Sequence, residues 1–179
     1  VLKFTLPDGK PKAVAFHYTA HALTLGPGND LFSADYPGEA CRRIEKAFPG
    51  ANALFFNGAA GNVHPMQCMR SAPEALDKFG AMVSAAAVSA ANSATRVDAP
   101  TLAVKTETLE FPHRTHRELN VSVELGLIRL GPIWLALAPG EVFVEYQLQF
   151  KRAIAPRRGT VIGYANGWPG YIPTREAYA

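Results

Sequence analysis

Five features of this 179-residue chain carry side chains suited to chemistry: His17, His21, the run Asn57-Gly-Ala-Ala-Gly-Asn-Val-His64, Glu141, and the segment from Tyr164 to Tyr171. A neutral imidazole, a carboxylate and a phenol supply nitrogen and oxygen donors of the kind Zn2+ takes, with a coordination position left for water. Each also has a plainer role open to it. A lone histidine can pack as a polar residue, and Glu141 can serve the positive end of a helix. His17 and His21 have the spacing of a metal pair on a helix, but their segment reads as a strand and has no Glu of the HExxH kind. On a strand the two would share a face, which makes His17 a candidate to support a ligand from behind. His113 and His116 fall in a polar stretch and read as surface residues. Cys41 and Cys68 form no CxxC pair and no disulfide framework, and they read as free thiols.

The elements that must position these groups can be read from periodicity and punctuation. Ala13 to Ala20 is a short apolar run between Pro11 and Gly26-Pro-Gly28, a buried strand. Asp35 to Phe48 sets an N-cap-type residue and Pro37 before an amphipathic helix that stops at Pro49-Gly50. Ala53 to Phe56 is a second buried strand that opens into the small-residue loop. Pro73 to Ala94 is an alanine-rich helix. Extended segments follow at Thr101 to Phe111, Val121 to Leu130 and Ile133 to Ala138, the last ending at Pro139-Gly140. Helical spacing then runs from Glu141 to Ala153, with Val142, Tyr146, Phe150 and Ala153 as its core face, and Thr160 to Tyr164 closes the pattern as a strand. The order predicts an α/β fold with a mixed β-sheet packed by helices. His21, Asn57 to His64, Glu141 and Tyr164 to Tyr171 all fall just past strand ends, where open α/β sheets place their ligands.

Composition sets the bounds. Hydrophobic residues make up 48% and charged residues 18%, which suits one packed domain over residues 1–179 and excludes disorder, collagen and coiled coil. Eighteen basic against fifteen acidic side chains, with no dense basic block, do not point to nucleic acid. No apolar run approaches the roughly 20 residues of a membrane span, so the chain reads as soluble without a transmembrane segment. It begins at Val1 and stops just after a strongly patterned segment, so it reads as a piece of a longer protein, incomplete at both ends; a secreted or periplasmic location stays open.

Five strings together resemble one family: Ala20-His-Ala22, Phe32-Ser-Ala-Asp-Tyr-Pro-Gly38, Phe56-Asn-Gly-Ala-Ala-Gly-Asn62, Pro139-Gly-Glu141 and Gly163-Tyr-Ala-Asn-Gly-Trp-Pro-Gly-Tyr-Ile-Pro-Thr-Arg-Glu176. In this order, over nearly the whole chain, they are similar to the neutral/alkaline (non-lysosomal) ceramidases and their bacterial relatives. The resemblance implies part of a ceramidase-like catalytic domain, with zinc held by two histidines, a glutamate and a tyrosine. It also implies a water activated by that zinc, which cleaves the amide of an N-acylated sphingoid base. Matched residue by residue, it places the second histidine at His21, the glutamate at Glu141 and the tyrosine at Tyr171. The first histidine belongs to a His-Thr-His segment upstream, so an upstream part of the same protein is expected to complete the site.

The chain departs from the family after the small-residue loop. His64-Pro-Met-Gln-Cys-Met-Arg-Ser71 stands where the family has its catalytic serine segment, and Ser71 is a poor stand-in. No helical insertion follows His116. The expectation is therefore a zinc-dependent amidohydrolase acting on a small amphiphilic N-acyl substrate, with His21, Glu141 and Tyr171 on the metal. Asn57 and His64 are its catalytic candidates, expected within reach of the metal and lining the substrate site. Two alternatives stay open: a non-catalytic metal-binding or structural module on the same scaffold, and a hydrolase of another small amide or ester.

Overall fold

A computed structural model of the chain describes residues 1–70, 73–98, 100–113, 116 and 118–178; Ser71 lies outside them. The chain divides into two compact units, Val1–Phe56 with His64–Arg96, and Asn57–Val63 with Val97–Ala179.

The first unit holds a three-stranded sheet in the order β1 (Leu2–Thr5), β2 (Pro11–Tyr18), β3 (Asn52–Asn57), with β1 and β2 antiparallel. Pro11 opens β2, a strand position where the missing N–H is tolerated. Two helices pack together in this unit: α1 (Asp35–Ala47) and α2 (Pro73–Asn92). Their buried residues show why these segments are helical. Tyr36, Ala40 and Ile44 recur every fourth position on α1, and Ala75, Phe79, Val83, Ala87 and Ala91 do so on α2. Small residues let the helices approach: a Cβ on Gly80 would stand 2.5 Å from the Glu39 side chain. The core is aromatic. Tyr36 sits edge-on to Phe79 at 4.7 Å, to Phe55 at 5.8 Å and to Tyr18 at 5.9 Å, and Phe16 lies 5.3 Å from Phe55.

The second unit is built on a four-stranded mixed sheet in the order β4 (Leu102–Pro112), β5 (Asn120–Leu130), β6 (Ile133–Leu137), β8 (Arg158–Ile162). β4 and β5 form an antiparallel ladder without a register shift, β5 and β6 are antiparallel, and β6 pairs with β8 in parallel. A parallel pair needs a crossover. Here it runs through β7 (Glu141–Val142) and α3 (Val144–Ile154), and α3 packs on β8. β7 pairs in parallel with β9 (Tyr171–Ile172), and a 3-10 turn spans Glu176–Tyr178. The unit's core is small: Ala59, Val142 and Val161, flanked by Ala136, Ala138, Phe150 and Ile172.

The α/β class with mixed sheets packed by helices is as expected, and the strands fall into three sheets. Four local expectations are corrected. Glu141 and Val142 form a strand, and the helix begins at Val144, so Glu141 does not serve a helix start. Of the expected core face, Val142 and Phe150 pack inward while Tyr146 and Ala153 are exposed; the side chain that α3 buries is Gln147. Asp35 is no N-cap: the cap position is Ala34, and Asp35 begins the helix with φ +47°. β2 ends at Tyr18, so strand alternation does not carry from His17 to His21. Cys41 and Cys68 are free thiols, and burial, with the charge of Glu45, pushes the Cys41 thiol up. Among the described residues no helix is long and apolar enough to cross a membrane.

Candidate functional site

In the second unit the chemistry gathers on Glu141, which is 8% exposed. β6 ends before Pro139-Gly140, and Gly140 takes φ +67°, a conformation that L side chains rarely adopt. A Cβ there would meet Gly170 O at 2.4 Å. The turn lets Glu141 N donate to Gly170 O at 2.9 Å and sets Glu141 beside Tyr171 in the parallel ladder. Trp168 Nε1 donates to Glu141 Oε1 at 3.2 Å, and the Tyr164 and Tyr171 phenols both hydrogen-bond the same carboxylate. Burial, the Glu141 charge and that hydrogen bond push the Tyr164 phenol up to about 12. The hydrogen bond to Glu141, followed by burial and the Glu141 charge, raises the Tyr171 phenol above its ordinary value. Both phenols therefore hold their protons at neutral pH.

The backbone around Glu141 is costly to build. Tyr164 has φ +59° and Asn166 φ +64°. A bulky residue in that region carries a strain of about 1–3 kcal/mol and persists where its surroundings over-determine it. Tyr164 N donates to Gly140 O at 3.0 Å and its phenol reaches Glu141, so both ends of the residue are anchored.

The small-residue loop explains itself in the same unit. Gly58, Ala59, Ala60 and Gly61 are all buried. A Cβ on Gly61 would lie 2.3 Å from Glu141 O, and one on Gly163 would lie 2.6 Å from Gly58 O. The glycines thus admit neighbouring backbone, with Gly61 N donating to Val142 O at 2.8 Å and Gly163 N to Asn57 O at 3.1 Å. Asn62 Oδ1 accepts from Val144 N at 2.9 Å and so serves the start of α3. Ala59 N donates to the buried Gln147 side chain at 3.2 Å. Asn57 Oδ1 is buried and has no hydrogen-bond partner among the described residues.

In the first unit the candidates are imidazoles on irregular segments. His21 is half-buried just past β2, His64 is exposed, and their rings lie 5.1 Å apart at 24°. The two segments are tied by Met69 N to Leu23 O at 3.0 Å, Arg70 N to Thr24 O at 2.8 Å, and Gly26 N to Arg70 O at 3.0 Å. Asp35, 7% exposed, accepts from Thr24 N at 3.1 Å, Leu25 N at 2.9 Å and Tyr36 N at 2.7 Å. The Tyr36 hydroxyl donates to Ala20 O at 2.8 Å, next to His21. His17 is half-buried in β2, and His116 is exposed. Among the described residues no group of three or more His, Cys, Asp or Glu side chains is arranged to hold a metal.

Sequence reasoning left Trp168 and Asp35 without a role at the site. The signal for Trp168 was a lone indole among turn residues, since a donor-only group there needs an acceptor.

Among solved structures the chain is similar to neutral ceramidase from Pseudomonas aeruginosa, at 17% identity and TM-score 0.79 over 99% of this chain and 41% of that one. It is also similar to a ceramidase complexed with C2, at 16% identity and TM-score 0.80 over 99% of this chain and 42% of that one. The chain therefore has a ceramidase-like α/β fold and spans about two-fifths of the length of those structures. No family model and no curated protein matches it.

Proposed function

We propose that this chain forms part of a zinc-dependent amidohydrolase that cleaves the amide of an N-acylated sphingoid base or a related N-acyl substrate. The observation that carries the reading is Glu141 with its two phenols and an indole, built at strained backbone in a fold similar to that of solved ceramidases. Glu141 and Tyr171 would hold the ion, and the resemblance assigns His21 to it as well. The donor chemistry fits: the Tyr171 phenol hydrogen-bonds the Glu141 carboxylate, so two oxygen donors of the kind zinc takes stand side by side. When bound, zinc supplies the Lewis acidity that makes water a nucleophile near neutral pH.

The chain's own residues do the rest. Tyr164 keeps its phenolic proton at neutral pH and donates it in a hydrogen bond to Glu141, which helps hold that carboxylate in place. In this reading Asn57 offers an acceptor for a substrate N–H. The exposed indole of Trp168 fixes one Glu141 oxygen and gives an apolar face to an acyl or sphingoid chain.

The test is Glu141→Gln in the protein that carries this chain. Zinc affinity is expected to fall at least tenfold and hydrolysis of N-acyl sphingoid bases to be lost, with circular dichroism of the metal-free variant checking that the fold is kept. Unchanged zinc affinity and turnover would overturn the reading. A second reading, a non-catalytic metal-binding or structural module, is favoured by His64-Pro-Met-Gln-Cys-Met-Arg-Ser71 standing where the family has its catalytic serine segment. Zinc retention without turnover on a panel of N-acyl amides and esters would establish it.

A further inference from the structure

The imidazoles of His21 and His64 form a pair that the proposed ligand set uses only by half. From their geometry we infer that His64 is a second imidazole ligand to the same divalent ion as His21, an inference that rests on the metal-binding part of the proposed function and adds a residue to it. An ion about 2.0–2.1 Å from one nitrogen of each ring, with a near-tetrahedral angle between them, sets the ring centres about 5 Å apart. The observed separation is 5.1 Å. The rings are inclined by only 24°, so one must turn about its Cβ–Cγ bond to aim its nitrogen, and that torsion is soft for histidine.

The surroundings favour a ligand pair over simple packing. His64 is exposed, so stacking alone buries little apolar surface there. Yet the segment that carries it is locked to the His21 segment by three backbone hydrogen bonds, with Leu25 and Arg70 bridged in parallel. Behind them, Asp35 holds the N–H groups of Thr24 and Leu25, and Tyr36 holds the Ala20 carbonyl. Two loops are thus fixed in register with one imidazole on each, the preorganisation a two-histidine site needs. Other coordination positions remain for water or for further ligands.

The experiment titrates Zn2+ into the metal-free chain and records the visible and near-ultraviolet spectrum of the Co2+ form. His21→Ala and His64→Ala are each expected to weaken zinc at least tenfold, and the loss in the double variant to differ from the sum of the two, as residues that share one ion couple. Circular dichroism of metal-free His64→Ala checks that the fold is kept. His64→Cys keeps a zinc-type ligand and should add a sulfur-to-cobalt charge-transfer band. Wild-type zinc affinity in His64→Ala, or no such band in His64→Cys, overturns the inference while leaving the proposed function standing if His21→Ala and Glu141→Gln still weaken zinc. If Glu141→Gln leaves zinc affinity and turnover unchanged while both histidine variants weaken zinc, the proposed function fails and the histidine pair survives.

Discussion

In the second unit a carboxylate 8% exposed is ringed by two phenols and an indole on a backbone held at left-handed angles, whereas in the first unit two imidazoles stand on irregular loops with His64 exposed. The supports differ as well. Glu141 is fixed by close backbone approach at Gly61 and Gly140, which no side chain can enter. The histidine segments are fixed by a buried carboxylate, Asp35, and a buried phenol, Tyr36, that reach back from the first turn of α1. One unit positions its group by excluding atoms and the other by satisfying buried donors, so different substitutions should break them.

The largest effect is expected at Asp35. Asp35→Ala strips the acceptor from three backbone N–H groups, those of Thr24, Leu25 and Tyr36. Each buried donor left unpaired costs about 1–3 kcal/mol, so a loss of about 3 kcal/mol or more is expected in urea unfolding. Asp35→Asn keeps an oxygen acceptor and tolerates the φ of +47°, and should lose less. If Asp35→Ala costs less than about 0.5 kcal/mol, the carboxylate does not organise the His21 segment.

Next comes Gly61→Ala in the second unit. Its Cβ would stand 2.3 Å from Glu141 O and 2.9 Å from the Phe143 ring, and the backbone atom cannot yield without moving Glu141. A cost of about 1–3 kcal/mol is expected, typical of overpacking. Because Trp168 is bonded to Glu141, its fluorescence should shift with the carboxylate. A Gly61→Ala protein with wild-type stability and, in a Trp134→Phe background, an unchanged Trp168 spectrum would show that the close approach is not what places Glu141.

The two units were also unequally legible. Helix α1 was plain from its amphipathic pattern, closed by Pro49-Gly50, and α2 from its alanine-rich propensity behind Pro73. The strands at His21 and Asn57 were plain from apolar runs, although β3 was expected to be buried and leaves Leu54 and Phe56 exposed. Glu141 was misplaced onto a helix because Val142 and Phe150 fit a helical face as well as a strand followed by a helix. What makes β7 a strand is Tyr171–Ile172, thirty residues further on, and local periodicity does not register such a partner. The glycines of the small-residue loop signalled close approach, and the neighbour the structure shows there is the backbone of β7. His21 and His64 were each legible as strand-end residues, but their pairing depends on the bridge between Leu25 and Arg70, both in segments without periodicity.

The smallest effect separates the helix pair from both candidate sites and depends on pH. Glu39 on α1 bonds Arg42 and Arg43, and Arg43 reaches Asp77 on α2 at 2.6 Å. Burial works to raise the Glu39 carboxyl, but the hydrogen bonds and charges of Arg42 and Arg43 outweigh it and hold the group below the usual carboxylate range. A carboxyl lowered in the folded state contributes stability that is fully present above its unfolded pKa and is lost as pH falls through the folded value. Wild type should therefore exceed Glu39→Gln by about 0.2–1 kcal/mol at neutral pH, since the arginine partners are largely solvent-exposed. The gap should close in acid and shrink in high salt. In the proposed function zinc is held by the loop imidazoles and Glu141, not by Glu39, so any zinc affinity should be the same in both proteins throughout. A gap that stays constant from neutral pH into acid would mean that Glu39 acts by packing against Gly80 and not by its charge.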